Sequence, residues 1–213
     1  MSELPYHLRA LQGDGEQHGI SFNDDIIGDL WKCSATAYAE RITSGKNDDQ
    51  FISYRHIEFI NDVVQPKILE GNAKIIIDAP PRHGKTFFLT KLLPVWFLDM
   101  FPGNNVILTS YNEKLARGNG RYVRDKVKEC ELVDAKLRAD VASNTEWMTE
   151  SGSEFLSTGI NGTLTGKGFH LGSIDDPVKN WREATNQRLL VEQREWYSST
   201  FNTRGEPGAS QII

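Results

Sequence analysis

The chain has 213 residues, 38% hydrophobic and 25% charged, a length for one sizeable core with room for an appendage. No apolar run approaches the eighteen residues of a membrane span, and the amino-terminal "MSELPYHLRALQGDGEQ" lacks the apolar centre of a signal peptide. A net charge of −5 gives no global sign of nucleic-acid binding, and the two distant cysteines, Cys33 and Cys130, suit neither a disulfide framework nor a zinc site.

In chain order, residues 1–22 are polar and read as a mobile arm, and residues 23–72 as a helical segment. Its first helix is expected over Asn23–Arg41, with Ile26, Ile27, Leu30, Trp31 and Ala35 on one face. "TSGKNDDQ" is a loop. "YRHIEFINDVVQPKILEGN" is a second helix, with Ile57, Ile60, Val63 and Val64 inward and Pro66 bending or ending its first part.

Residues 73–213 then alternate strands with helices, the signature of a mainly parallel α/β sheet. A strand at Lys74–Asp78 leads through a loop to a helix from Lys85 to about Asp99. "NVILTS" is a second strand, followed by a helix to about Cys130. "TEWMTESGSEFLST" alternates as a hairpin turning at Ser151-Gly152-Ser153. A glycine-rich loop precedes a further strand, "FHLGSIDD", and Trp181 to about Thr200 reads as one long helix. "SQII" looks like the first residues of a strand.

The loop after the first of these strands, Ala79-Pro80-Pro81-Arg82-His83-Gly84-Lys85-Thr86, has the spacing of a phosphate-binding loop, with Ala79 in place of the first glycine. Backbone N–H groups there would point at phosphate oxygens. Lys85 would reach the β- and γ-phosphates, and the Thr86 hydroxyl would ligate Mg²⁺. Arg82 stands where it touches a phosphate oxygen or is simply solvated, and His83 reads as a loop residue.

Such a loop needs a carboxylate at the end of a neighbouring strand. Asp99 ends an apolar run but lies only fourteen residues beyond Lys85, too close for a parallel crossover back to the sheet. Asp175-Asp176 lie about ninety residues on, at a strand end. Asp175 would hold Mg²⁺ through water, and Asp176 would polarise the attacking water.

With these motifs in order, "YRHIEFI", "APPRHGKT", "TSYNEKLARGNGRYVRD", "STGINGTLTGKGFHLGSIDDPVKNWREA" and "WYSSTFNTRGEPGASQII", residues 54–213 resemble the amino-terminal ATPase domain of tailed-bacteriophage large terminase subunits, motors that package DNA into procapsids. The resemblance implies a P-loop NTPase of the additional-strand type, with its coupling strand between the loop-bearing strand and the Asp175 strand. It implies Mg²⁺-dependent ATP hydrolysis and a ring-like homo-oligomer acting on double-stranded viral DNA, with portal protein and small terminase subunit as partners in the host cytoplasm. Tyr54, Arg55 and His56 match the segment that contacts adenine in such enzymes. Lys167 occupies a position where relatives often carry an arginine that acts on a neighbouring subunit's nucleotide. Asp176 stands where many relatives have glutamate. By the same resemblance the chain stops where the coupling motif begins and the nuclease domain is missing. A monomeric, weakly active fragment is therefore expected.

Lys114, Arg117, Arg121, Arg124 and Lys128 recur at helical spacing, a basic stripe able to track DNA phosphates, to face a neighbouring subunit or to be solvated surface. Gly118 and Gly120 weaken that helix. The rival readings are a small-molecule P-loop kinase, for which no arginine-rich lid segment is evident, and a GTP-dependent switch, whose Asn-Lys-x-Asp is absent. A third is an assembly module that binds nucleotide without turnover.

Overall fold

In the computed structural model, residues 29–213 are described except 46–48, 161 and 165. The expected mobile arm and the start of the first helix, with Ile26 and Ile27, lie outside the described residues. The described chain forms a seven-stranded sheet flanked by helices. Its strands are β1 (Lys74–Ile75), β2 (Val106–Ser110), β3 (Leu137–Ala142), β4 (Glu146–Thr149), β5 (Glu154–Gly159), β6 (Phe169–Asp175) and β7 (Gly205–Ile212). The spatial order is β1-β7-β6-β2-β5-β4-β3. From β1 to β5 all neighbours are parallel; β4 and β3 are added antiparallel.

The all-apolar stretch Val106-Ile107-Leu108 explains why β2 sits centrally. Both its faces are buried, with Val106 and Leu108 in one core and Ile107 in the other. The larger core lies under α1 (Ala35–Thr43), α2 (Arg55–Glu70), the helix α3 that runs from Thr86 to Met100, and α4 (Glu113–Glu129). The smaller one, around Ile107, Phe169, Ile174 and Phe201, is closed by the chain after β6. That chain forms α5 (Trp181–Ala184), α6 (Gln187–Trp196) and a wide turn over Tyr197–Phe201.

Several expectations need correction. The first helix is interrupted: a 3₁₀ turn at Leu30–Cys33 stops at Ser34, whose hydroxyl accepts from the Ala37 N–H and starts α1 afresh. Pro66 does not end α2, which continues to Glu70 and closes on Gly71 at φ 76°. On α2 the buried side chains are Ile57, Asn61, Val64 and Ile68, a stripe that leaves Val63 exposed. The single helix expected over 181–200 breaks at Asn186, whose side chain accepts from the N–H groups of Arg188 and Leu189. Strand β3 was not anticipated, because Arg138 and Asp140 interrupt its apolar pattern.

Strand β7 begins at Gly205, earlier than "SQII" suggests. Gly205, Pro207 and Gly208 carry low strand propensity, and the ladder with β6 shifts register between Phe169 and Leu171. It lies between β1 and β6, where the coupling strand was expected. Lys74 pairs with Gln211, Ser173 with Ile212, and the Ile77 N–H donates to the Ile213 carbonyl at 2.8 Å.

Candidate functional site

Two segments about ninety residues apart in sequence converge at the carboxyl end of the sheet. The first is the loop Ala79–Thr86 between β1 and α3. Gly84 has φ 79°, a conformation open to glycine, while its missing Cβ would meet nothing nearer than Ile57 Cδ1 at 3.6 Å. Backbone angle, not space, requires glycine there. Arg82 also has positive φ, at 65°. The helix that follows opens with π-type hydrogen bonding over Thr86–Leu92 before tightening to α geometry at Leu93.

The second segment is the end of β6. Asp175 is the last strand residue and only 5% exposed. Its Oδ1 accepts a hydrogen bond from the Thr86 hydroxyl at 3.0 Å, and its Oδ2 accepts from Asn119 Nδ2 at 3.4 Å. Burial pushes its carboxyl above the usual aspartate range, and the Asp176 charge pushes the same way, opposed by the Thr86 hydroxyl and by Lys85. Asp176 leaves the strand with φ 46°, a left-handed conformation sparsely populated outside glycine, and is followed directly by Pro177. That turn separates the two carboxylates: Asp175 faces Thr86, while Asp176 Oδ1 pairs with Lys85 Nζ at 3.1 Å.

Beside the loop is a cleft of about 490 Å³ lined by Phe51, Tyr54, His56, Arg82, His83 and Phe87, among others. Tyr54 is exposed and its ring is parallel to that of His56, which meets the His83 ring edge-on. Because their partners are carbonyl oxygens, His56 must donate from Nε2 to His83 O and His83 from Nδ1 to Pro81 O, both at 2.9 Å. His83 thus braces the loop from within, and α2 holds it from outside. Arg55 begins α2 and is exposed.

Other candidates lie elsewhere. Asp99 sits near the end of α3, accepting from the Tyr38 hydroxyl at 2.8 Å and the Ala135 N–H at 2.7 Å, a structural bracket remote from the acids of β6. Lys167 precedes β6 and therefore lies at the amino end of that strand, opposite Asp175. Its ammonium is clamped by Glu154 at 2.8 Å and Glu146 at 3.0 Å, which raise its pKa above the usual lysine value. Within one chain it does not approach Asp175 or Asp176. On α4, Arg117 and Arg121 are exposed, as are Lys114 and Lys128. Arg117 is engaged by Glu113 at 2.6 Å, whereas Arg124 is turned aside, half-buried against Asp125 and Asn144.

Asn119 was missed by the sequence reading, although its position carried a signal. It falls in phase with Ala116, Val123 and Val127, the buried stripe of α4, and is 3% exposed. A polar residue on an apolar stripe must find a partner. Ser110, at the end of β2, is register partner to Asp175, and its buried hydroxyl has no partner among the described residues.

Among the described residues no group of three or more His, Cys, Asp or Glu side chains could hold a metal ion. Magnesium beside a nucleotide needs no such cage, since phosphates and water supply most of its oxygens. A hydroxyl and one carboxylate 3.0 Å apart, with Lys85 and Asp176 adjacent, are a donor set compatible with that mode.

No family model matches the sequence, and no curated protein matches it. Among solved structures, the large terminase of the HK97 bacteriophage is similar, at 12% identity and a TM-score of 0.55. The match covers 85% of this chain and 37% of that one. At such identity the likeness speaks for the fold, a mixed α/β sheet flanked by helices. The chain spans little more than a third of the terminase it matches.

Proposed function

We propose that the chain is a P-loop ATPase domain of the additional-strand type, acting as the Mg²⁺-dependent motor of a viral large terminase on double-stranded DNA. The observation that carries the reading is the meeting of Thr86 with Asp175, and of Lys85 with Asp176, across ninety residues of sequence. The place of β7 between β1 and β6 supports it, as does the likeness to the HK97 large terminase. Portal protein, small terminase subunit and a ring of like subunits belong to the same proposal.

In this reading the N–H groups of residues 82–86 face the phosphates, and Lys85 exchanges Asp176 for the β- and γ-phosphate oxygens. That exchange frees the Asp176 carboxylate to orient a water and take its proton as the γ-phosphoryl bond to the leaving diphosphate breaks. Bound magnesium would draw charge from the phosphate oxygens. Thr86 would bind it directly and Asp175 through water. The cleft between Tyr54, His56 and Phe87 would take adenine, with Arg55 at its rim, and Arg82 would touch a phosphate. Lys167, already neutralised within its own chain, would have to leave Glu146 and Glu154 to serve a neighbouring subunit.

The test is nucleotide calorimetry beside phosphate release. Lys85→Ala should lose detectable ATP binding while remaining folded, and Asp176→Asn should bind Mg-ATP but not turn it over. Unchanged affinity in folded Lys85→Ala sinks the loop assignment. A binding module without turnover is the second reading, favoured by the internal clamp on Lys167. It gains if wild type binds Mg-ATP yet releases no phosphate in the presence of DNA. Turnover driven by small acceptors instead of DNA would point to a kinase.

A further inference from the structure

The buried face of α4 reaches the candidate site through one polar side chain. Asn119 is 3% exposed, and its amide donates to Asp175 Oδ2 at 3.4 Å, while Thr86 occupies Oδ1. The carboxylate is thereby gripped at both oxygens from two different helices. α4 is itself tightly placed. Asn112 caps it through the Leu115 N–H at 2.8 Å, and Lys126 pairs with Asp49 at 2.7 Å near its far end. Next to Asn119, Gly120 lies so close to β5 that an added Cβ would meet Ser157 Oγ at 2.2 Å. Asn119 therefore has little freedom to approach or leave Asp175 unless α4 moves as a body.

Asp175 and Ser110 are register partners in parallel strands, so their side chains point to one face of the sheet, the face that α4 covers. Ser110 Oγ is buried and without a partner among the described residues. The β2–α4 unit thus presents two polar groups to an acid of the neighbouring strand, beside the buried hydroxyls of Thr90 and Ser173. An amide placed there by packing alone would cost free energy relative to leucine, since a buried donor at 3.4 Å recovers only part of its desolvation.

We infer that Asn119 is a positioning residue that holds the Asp175 carboxylate in the orientation needed to receive Mg²⁺ beside a nucleotide. The inference rests on the phosphate-loop reading of Ala79–Thr86. With Oδ2 fixed, Oδ1 and Thr86 Oγ1 are kept on the side of the loop. Without the amide, Oδ2 loses that hold and only the Thr86 and Thr90 hydroxyls remain to orient the carboxylate. Partners that hydrogen-bond a metal's direct ligands alter metal affinity by about 10–100-fold when lost. The water through which Asp175 would hold the ion, and the length of this contact, put the expectation at the low end, about tenfold.

The experiment measures binding of a non-hydrolysable ATP analogue by calorimetry, first in EDTA and then across a magnesium series. Wild type should tighten as magnesium is added. Asn119→Leu, close in volume but with no donor, should match wild type in EDTA within about twofold and need about tenfold more magnesium to tighten. A merely structural asparagine would shift both measurements together, or neither; either result overturns the inference. Should Asn119→Leu fail to fold, the side-chain amide of Asn119 in the ¹⁵N spectrum of the wild type decides. It should move on adding Mg²⁺ with the analogue and stay in place with the analogue in EDTA, and equal shifts in both overturn the inference. Failure of wild type to bind the analogue at all overturns the phosphate-loop reading itself.

Discussion

Gly118 and Gly120 are two residues apart in one helix, yet substitution to alanine should move stability in opposite directions. At Gly118 an added Cβ meets nothing within 4 Å, and the backbone is helical. Alanine there should stabilise by about 0.5–1 kcal/mol through reduced backbone entropy in the unfolded chain. At Gly120 the same gain is opposed by contacts at 2.2 Å to Ser157 Oγ, 2.7 Å to Ser157 Cβ and 3.3 Å to Phe155 Cε1. Ser157 cannot retreat easily, because its backbone is held in the ladder with β2 and its residue is 2% exposed. Overpacking of this sort costs about 1–3 kcal/mol, and so short a contact belongs at the upper end. The net expectation for Gly120→Ala is about 2 kcal/mol of destabilisation. For a domain of this size that lowers the melting midpoint by about 4–8 °C. Urea unfolding of both single variants, and of Gly120→Ala combined with Ser157→Gly, is the assay. The double variant should recover at least about 1 kcal/mol beyond additivity. Wild-type stability in Gly120→Ala, or strict additivity in the double variant, would refute the close approach of α4 to β5.

Two further outcomes are expected. Burial, and then the charges of Asp99 and Asp49 beside them, hold the hydroxyls of Tyr38 and Tyr122 protonated far above the usual tyrosine range. Their contribution to stability is complete below the unfolded value near pH 10 and lost as pH rises beyond it, by about 1.4 kcal/mol per pH unit for Tyr38 and by less for the half-buried, partly screened Tyr122. Tyr38→Phe should therefore flatten the alkaline fall in urea midpoint between about pH 10 and 11, and an identical fall would show that Tyr38 ionises in the folded state. On α4, Arg117→Ala/Arg121→Ala should make the slope of log DNA affinity against log salt shallower by about 2, at roughly 0.9 per phosphate contact. Arg124→Ala alone, already committed to Asp125 and Asn144, should leave the slope unchanged. Equal slopes in the double variant and wild type return Arg117 and Arg121 to ordinary solvated surface.

What could be read from the sequence was whatever rests on local pattern. The apolar run at Lys74–Asp78 and the glycine placement before Thr86 announce a strand, a turn and a helix, although the strand pairing stops at Ile75, and β2 was legible as a strand from its apolar run. The pairing of Asp175 with that loop was reached by excluding Asp99 on crossover length. Long-range packing was less visible. Exposure of Val63 and burial of Asn61 depend on which side of α2 meets the sheet, and a small rotation of the helix separates the two. The edge strand β3 gains its pairing from β4, a partner its own sequence does not specify. Asn119 was hidden by its two neighbouring glycines, which look like helix breakers until the approach to Ser157 gives Gly120 its reason.

The position of β7 bears on how the molecule assembles. Among the described residues β1 has no other neighbour in the sheet: Ala73 and Ser210, joined by a hydrogen bond at this seam, are 137 residues apart in sequence. The loop Ala79–Thr86 hangs from a two-residue ladder that exists only after Gly205–Ile212 has docked. β2, β5 and β6 can zip together among themselves beforehand, so loop anchoring should be a late event in refolding and slow for a chain of this length. The same seam is a place to open. Pulling β7 out by force, or competing for its edge with a peptide, would detach the loop strand from the acids of β6 while β2, β5 and β6 stay paired.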